Sequence, residues 1–420
     1  MQPLRGTKDI LPTEIQFWQK IRIIANKLFN LYSYKEIQTP ILESAELFYK
    51  SIGDSTDIVY KEMYSFNDQG KRLITLRPEG TASIARAFIS NKLYLKKHIH
   101  RLWYIGPMFR YERPQKGRQR QFHQLGIECM GSAFPIAEIE VIELALKILN
   151  LFHCTQYNLE INSIGNLKER SLYQAALVSY FNVYENDLDE DSLRKLKVNP
   201  LRLLDSKNKK IQEMLIKAPN LNDYLEKLSI AHFDEICQNL TFLNIPYIFN
   251  KNLVRGLDYY NYTAFEIKTK ICSSQNTICG GGRYDKLITN LGGPNTPSVG
   301  WAIGVERLIS IARKYLEKRN IYNRIYIIIQ KYNNYCVVWD ILNILEIFQI
   351  EFQLDLSDYT LLKQLRQANQ IKAKICFILG ENEIYYKYVT IKWLQTNIQQ
   401  RVNFSELTEY LKYLKYYIKI

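Results

Sequence analysis

Between Glu14 and Tyr32 the apolar residues Ile15, Trp18, Ile21, Ala25, Leu28, Phe29 and Tyr32 recur at intervals of three and four. That spacing predicts an amphipathic helix with one buried face. A short extended run closing at Pro40 follows. Period-2 alternation then appears at Leu73–Leu76 and on both flanks of a basic loop between Phe109 and Gly126, which predicts strands. Another strand is predicted over Thr263–Ile267, and a strand running into a helix over Ser298–Glu317. Between about Leu167 and Asn244 the pattern is helical and strongly charged, including Lys168, Glu169, Arg170, Asp187, Asp189, Glu190, Asp191, Arg194 and Lys195. We read it as a helical insertion.

The character changes after Asn323. Strands are predicted over Arg324–Ile329, Glu351–Leu354 and Lys374–Leu379, and helices over Tyr335–Phe348, Thr360–Asn369 and Ser405–Leu414. Such alternation indicates a compact α/β layer domain. Residues 361–420 hold ten basic groups against four acids, a surplus that fits an RNA-facing surface.

With 420 residues, 47% of them hydrophobic, the chain can bury a substantial core and divide into two or three domains. A formal charge of +14 favours a polyanionic partner. The seven cysteines include no C-x-x-C pair, which suits a reducing compartment and argues against disulfides or structural zinc. His98 and His100 share a strand face but have no third ligand nearby, so no metal site is expected there. No apolar run reaches the length of a membrane span and no signal peptide precedes Arg5, so a soluble protein is expected. Tyrosine (31) outnumbers glycine (18), and Ile, Lys and Asn abound, as in an AT-rich coding sequence. A plastid genome or an AT-rich bacterium fits that bias.

Positive charge concentrates in FRYERPQKGRQRQFHQLG, residues 109–126, where Arg110, Arg113, Lys116, Arg118 and Arg120 accompany a single acid, Glu112. Guanidinium groups are planar, permanently charged and matched to bidentate phosphate binding. Five cations so close together repel one another unless something polyanionic sits among them. Strand geometry puts Arg110 and Glu112 on one face, and Phe122, Gln124 and Glu128 on one face of the return strand. A nucleotide site is expected there.

Three further segments carry candidate chemistry. Arg77, Pro78, Glu79, Gly80, Thr81 and Ala82 form a tight-turn sequence that presents polar groups at a strand's end. LVRGLDYY, residues 253–260, precedes a strand and then Gly280, Gly281, Gly282, Arg283, Tyr284 and Asp285, whose glycines suit a turn or a close backbone approach. No G-K-[ST] follows, so this is not a Walker loop. Finally, Gly304, Val305, Glu306, Arg307 and Leu308 place an arginine at a helix start, where the dipole favours anions; a local anion would explain it.

The basic hairpin resembles motif 2 of class II aminoacyl-tRNA synthetases, in the form carried by histidyl-tRNA synthetases. Residues 14–43 resemble motif 1, residues 298–316 resemble motif 3, and RPEGTA resembles the family's amino-acid pocket floor. LVRGLDYY and the GGGRYD segment match the two stretches that set histidyl-tRNA synthetases apart, so the resemblance spans the chain. One departure is LDLSDYTLLKQL, residues 354–365, where many relatives place a glycine-rich turn before the helix.

This resemblance implies an α+β catalytic domain with an antiparallel sheet flanked by helices (1–322), a helical insertion (about 167–244), and a C-terminal α/β anticodon-binding domain (323–420). It implies a histidine–tRNA ligase that activates L-histidine with ATP and transfers the histidyl group to tRNA(His), acting as a homodimer without a membrane. Arg110 and Arg255 would be catalytic, flanking the α-phosphate and touching histidine. Glu112 would bind the adenine amino group, Phe122 and Arg307 would sandwich the purine, and Arg118 would reach the outer phosphates together with Mg2+. Glu79, Gly80 and Thr81 would hold the histidine ammonium, Gln124 its backbone end, and Glu128, Tyr259, Tyr260 and Tyr284 its imidazole. Gln115, Lys116 and Gly117 would meet the tRNA acceptor end. No protein-bound structural metal and no zinc are expected. The compartment would be the cytoplasm of an AT-rich bacterium or a plastid stroma. The alternative is a related regulatory subunit of histidine biosynthesis that does not charge tRNA; such proteins typically lack the C-terminal domain and part of the ATP machinery.

Overall fold

A computed structural model describes the chain except residues 54–55, 115–117, 207, 270–275, 317–324, 331–335 and 419–420, and the side chains of 314, 316, 417 and 418. There are two compact units, residues 1–316 and 317–420. The boundary expected between 322 and 323 falls outside the described residues.

The first helix runs Pro12–Leu31 and buries Phe17, Trp18, Ile21, Ala25, Leu28 and Phe29. It starts two residues before the periodic run because proline suits the first helical turn. Fully burying side chains such as Ile21 and Phe29 stabilises by about 1.5–3 kcal/mol each. Helices Ile136–Leu151 and Val305–Leu316 share the same core with Trp103, Ile127, Phe265 and Trp301 of the central sheet.

That sheet has eight strands, in the order Lys35–Glu36, His100–Phe109, Gln121–Met130, Ser298–Gly304, Thr277–Arg283, Asn261–Thr269, Tyr157–Gly165 and Tyr247–Phe249. It is mixed rather than antiparallel: both outermost strands pair parallel with their neighbours. Parallel pairing needs a long crossover. The helical stretch after Gly165 supplies one, and its last helix, Lys227–Phe242, places Ile236 and Leu240 in the first core. Residues 167–244 therefore do not form one appendage. The earlier part, with helix Leu167–Asn182 started by an Asn166–Glu169 capping box, packs instead into a second core.

Alternation along His100–Phe109 separates the two cores. Trp103 enters the first, whereas Leu102, Tyr104 and Met108 enter the second, together with Tyr259, Tyr260 and Tyr284. The candidate site lies on this second face.

In the second unit a five-stranded sheet runs Phe352–Leu354, Ile325–Ile329, Ile375–Leu379, Tyr388–Trp393, Gln399–Asn403. The first three are parallel, and the apolar runs IYIII and ICFIL are those of strands covered on both faces. The last two form an antiparallel hairpin that the sequence reading left out. Gln399–Asn403 buries only Val402 and so reads as a polar loop. Within residues 354–365, Asp355 accepts from the Ser357 N–H and the Tyr326 hydroxyl, both at 2.8 Å, shaping the approach to helix Leu361–Gln370. No helix of the described residues is long and apolar enough to cross a membrane.

Candidate active site

The hairpin strands His100–Phe109 and Gln121–Met130 pair antiparallel with Met108 opposite Phe122 and Gly106 opposite Gln124. Their open end borders a cavity of about 630 Å3. Phe122 and Gln124 line it, as their shared strand face requires. Arg110 and Glu112 line it too, but not through alternation, because the strand ends at Phe109. Arg110 instead donates from Nε to the Pro78 carbonyl at 2.9 Å and lies 5.2 Å over the Phe122 ring. Glu112 pairs with Arg118 at 3.0 Å.

The five-cation cluster is only partly realised. Arg120 stacks on Tyr111 at 4.0 Å and Arg113 is exposed, and neither lines the cavity. Gln115, Lys116 and Gly117 lie outside the described residues. The remaining cationic lining comes from distant parts of the chain: Arg255, Arg307 and Lys8.

Arg255 sits in an irregular loop, paired with Glu266 and 5.9 Å from the Tyr260 ring. Glu266 also accepts from Thr277 Oγ1 at 2.9 Å. The glycine run forms the interior of strand Thr277–Arg283, not a turn. A Cβ on Gly280 would meet the Arg255 guanidinium at 2.3 Å, so glycine is what lets Arg255 lie across the strand. Arg307 donates to the Thr277 carbonyl from the first turn of helix Val305–Leu316. That acceptor explains an arginine at a helix start without a bound anion. Next to it, both Glu306 carboxylate oxygens accept from the His123 N–H at 3.0 Å, fastening the helix to the return strand.

Elsewhere in the cavity lining, Glu79 accepts from the Thr81 and Ala82 N–H groups at 2.9 and 2.7 Å, capping helix Thr81–Ser90. Burial raises its pKa, while these bonds oppose the shift. Glu79, Thr81, Tyr259 and Tyr260 line the cavity. Glu128 and Tyr284 do not: they form the layer beneath. Glu128 is fully buried, accepts from Thr81 Oγ1 at 2.7 Å and from the Tyr284 hydroxyl, and is pushed up to about 8 by burial. Gly80 faces the Tyr104 ring rather than the cavity.

Sequence reasoning missed Lys8, Glu266, Thr277 and Glu306. Lys8 precedes the first periodic helix and carries no pattern; it arrives because the Gly6 carbonyl accepts from the Arg120 N–H at 2.8 Å. Among the described residues, no group of three or more His, Cys, Asp or Glu side chains could hold a metal ion.

Two family models match the chain: histidyl-tRNA synthetase over residues 6–308 and anticodon binding domain over residues 325–414. The chain is 55% identical over 418 residues to a chloroplastic histidine–tRNA ligase of Gracilaria tenuistipitata var. liui, covering 99% of each. It is 46% identical over 422 residues to a histidine–tRNA ligase of Cyanothece sp., covering 97% and 95%. A crystal structure of apo histidyl-tRNA synthetase from S. aureus is similar at a TM-score of 0.80 and 32% identity, with 98% and 99% covered. The first family match spans the cavity lining from Lys8 to Arg307, and with full-length relatives at these identities, the chain belongs to the histidyl-tRNA synthetase family.

Proposed function

We propose that the protein is a histidine–tRNA ligase: it activates L-histidine with ATP and passes the histidyl group to the 3′ end of tRNA(His). The observation that carries this reading is one cavity lined by two chemically distinct sets of groups. Arg110, Arg118, Arg255 and Arg307 form the cationic set, and Glu79, Thr81, Tyr259 and Tyr260, above the buried Glu128, form the other, with Arg255 beside the Tyr260 ring where the two sets meet.

In the first step the histidine carboxylate oxygen attacks the α-phosphorus of ATP, the bond to the β-phosphate oxygen breaks, and diphosphate leaves. Charge develops on phosphoryl oxygens, so positioned cations do most of the work. Arg110 and Arg255 take that role, with Arg255 held by Glu266. Phe122 and Arg307 flank the purine, Glu112 accepts from its amino group, and Arg118 meets the outer phosphates. The carboxylates lining the cavity are already engaged: Glu112 with Arg118, Glu306 with His123, and Glu79 with the Thr81 and Ala82 N–H groups. Magnesium would enter with ATP, where it would supply charge neutralisation on the phosphates beside Arg118.

Glu79 and Thr81 receive the ammonium and Gln124 the backbone end, while Tyr259, Tyr260 and the Glu128–Tyr284 pair select the imidazole. In the second step a terminal hydroxyl of tRNA attacks the activated carbonyl and AMP leaves. The loop of Gln115, Lys116 and Gly117 meets the acceptor end, and residues 325–414 hold the anticodon. A homodimer through the first helix is supported by its exposed Ile23 and Leu31, at 66% and 79%. The working compartment is a plastid stroma or a bacterial cytoplasm.

The regulatory-subunit reading gains nothing from the site, since the four arginines are in place. Incubating the protein with ATP, radiolabelled histidine and a total tRNA pool tests the reading. Acid-precipitable, alkali-labile label on tRNA is expected; adenylate formation without any tRNA labelling would contradict it.

A further inference from the structure

The loop bearing Arg255, Tyr259 and Tyr260 connects strands Tyr247–Phe249 and Asn261–Thr269 and belongs to neither ladder. Its carbonyls need donors from elsewhere, because a buried unpaired carbonyl costs as much as a lost hydrogen bond. The donors come from the charged helical stretch. Arg170, on helix Leu167–Asn182, donates from Nη1 to the Tyr260 carbonyl at 2.6 Å and from Nη2 to the Asp258 carbonyl at 3.3 Å. Asn199 donates from Nδ2 to Asp258 Oδ1 at 2.9 Å, and Arg202 reaches the Gly256 carbonyl at 3.5 Å.

Packing fixes one end of this loop, where Tyr259 and Tyr260 are buried in the second core. Besides the main cavity, a second one of about 230 Å3 adjoins it, lined by Arg170, Asn199, Arg202 and Asp258. Arg255 and Leu257 line both. The stretch from Arg255 to Leu257, with open volume at two sides, is held less tightly by packing than a core side chain. A charged fork that bonds two carbonyls together supplies what packing does not.

We propose that Arg170 and Asn199 are positioning residues that hold the 255–260 loop in the geometry for histidine activation, although neither lines the main cavity. The inference rests on the histidine-activating reading above. It makes the helical stretch part of the catalytic apparatus, acting through Arg255, Tyr259 and Tyr260.

The test uses the full chain carrying Arg170→Lys, Asn199→Ala or both, with histidine-dependent pyrophosphate exchange and thermal melting as readouts. Arg170→Lys keeps the charge but loses the fork. Each single variant should lower kcat roughly 10- to 100-fold, as small misplacements of catalytic groups do. KM for histidine should rise, KM for ATP should stay within about twofold, and melting should stay near wild type. The double variant should lose less than the product of the singles, because both act through one loop. Wild-type kinetics in both singles would overturn the proposal. So would losses that multiply in the double and track a falling melting temperature with both KM values moved alike. A wild-type protein without histidine-dependent exchange would overturn the functional reading, and this inference with it.

Discussion

The Tyr284 hydroxyl donates to the Glu128 carboxyl group, which is fully buried and also accepts from Thr81 Oγ1. Two hydrogen bonds do not offset the burial, so the group titrates near 8 instead of 4.5. An acid whose folded pKa exceeds its unfolded value binds its proton more tightly in the fold. Its contribution to stability is fully present below the unfolded pKa and is lost as pH rises through about 8.

Glu128→Gln, neutral throughout, should therefore gain in melting temperature relative to wild type as pH rises from about 5 to about 8.5. At the same time KM for histidine should rise roughly 2- to 10-fold, the worth of a hydrogen bond between neutral groups. Parallel melting curves across that range would show that the group is not titrating.

Arg255→Ala should lower histidine-dependent pyrophosphate exchange by roughly 100-fold or more, as for one lost preorganised donor. Gly280→Ala should lower it as well while leaving the protein folded, because its Cβ meets only the end of the Arg255 side chain. Gly281→Ala should unfold the protein at lower temperature, because its Cβ would lie 2.3 Å from the Gly300 carbonyl oxygen. Exchange assays with circular dichroism separate these outcomes. Equal effects from both glycines would contradict the assignment.

Arg283 is 1% exposed and is held by Glu138, which also meets His232. Burial alone would raise the Glu138 pKa, but hydrogen bonds from His232 and Arg283 hold it below the ordinary carboxylate value. Its stabilising contribution is thus present above the unfolded pKa and lost as pH falls through the folded one. Glu138→Ala leaves the buried Arg283 guanidinium with Asp285 and the Ser132 and Phe134 carbonyls as partners, and should cost about 1.5–3 kcal/mol in chemical denaturation at neutral pH, as for lost hydrogen bonds to a charged group. A loss below about 1 kcal/mol, in the range of an exposed pair, would contradict this.

Removing residues 317–420 should spare histidine-dependent exchange while abolishing efficient tRNA charging, since the first unit holds the whole cavity and its own cores. Loss of both activities together with a lowered melting temperature would show that the second unit supports the fold of the first.

Much of this was legible in the sequence because it rests on local periodicity. The stripe from Trp18 to Phe29 and the runs IYIII and ICFIL are buried where their spacing put them. Gln124 and Phe122 share a face because a strand allows nothing else. The illegible parts depend on distant contacts. Arg110 reaches the cavity through the Pro78 carbonyl, Arg120 turns to Tyr111, and Arg307 finds the Thr277 carbonyl. Charge counting along the chain could not divide the arginines that face the cavity from those that do not. The strand Gln399–Asn403 was missed for the opposite reason, having too little buried surface to leave a pattern.

Histidine-dependent exchange of labelled diphosphate into ATP, run separately with each of the twenty amino acids, tests the central claim most directly. Histidine alone should support rapid exchange, because a site that hydrogen-bonds its ligand rejects analogues lacking those groups by on the order of 10⁴-fold. Exchange with another amino acid at a comparable rate, or none with histidine, would contradict the account.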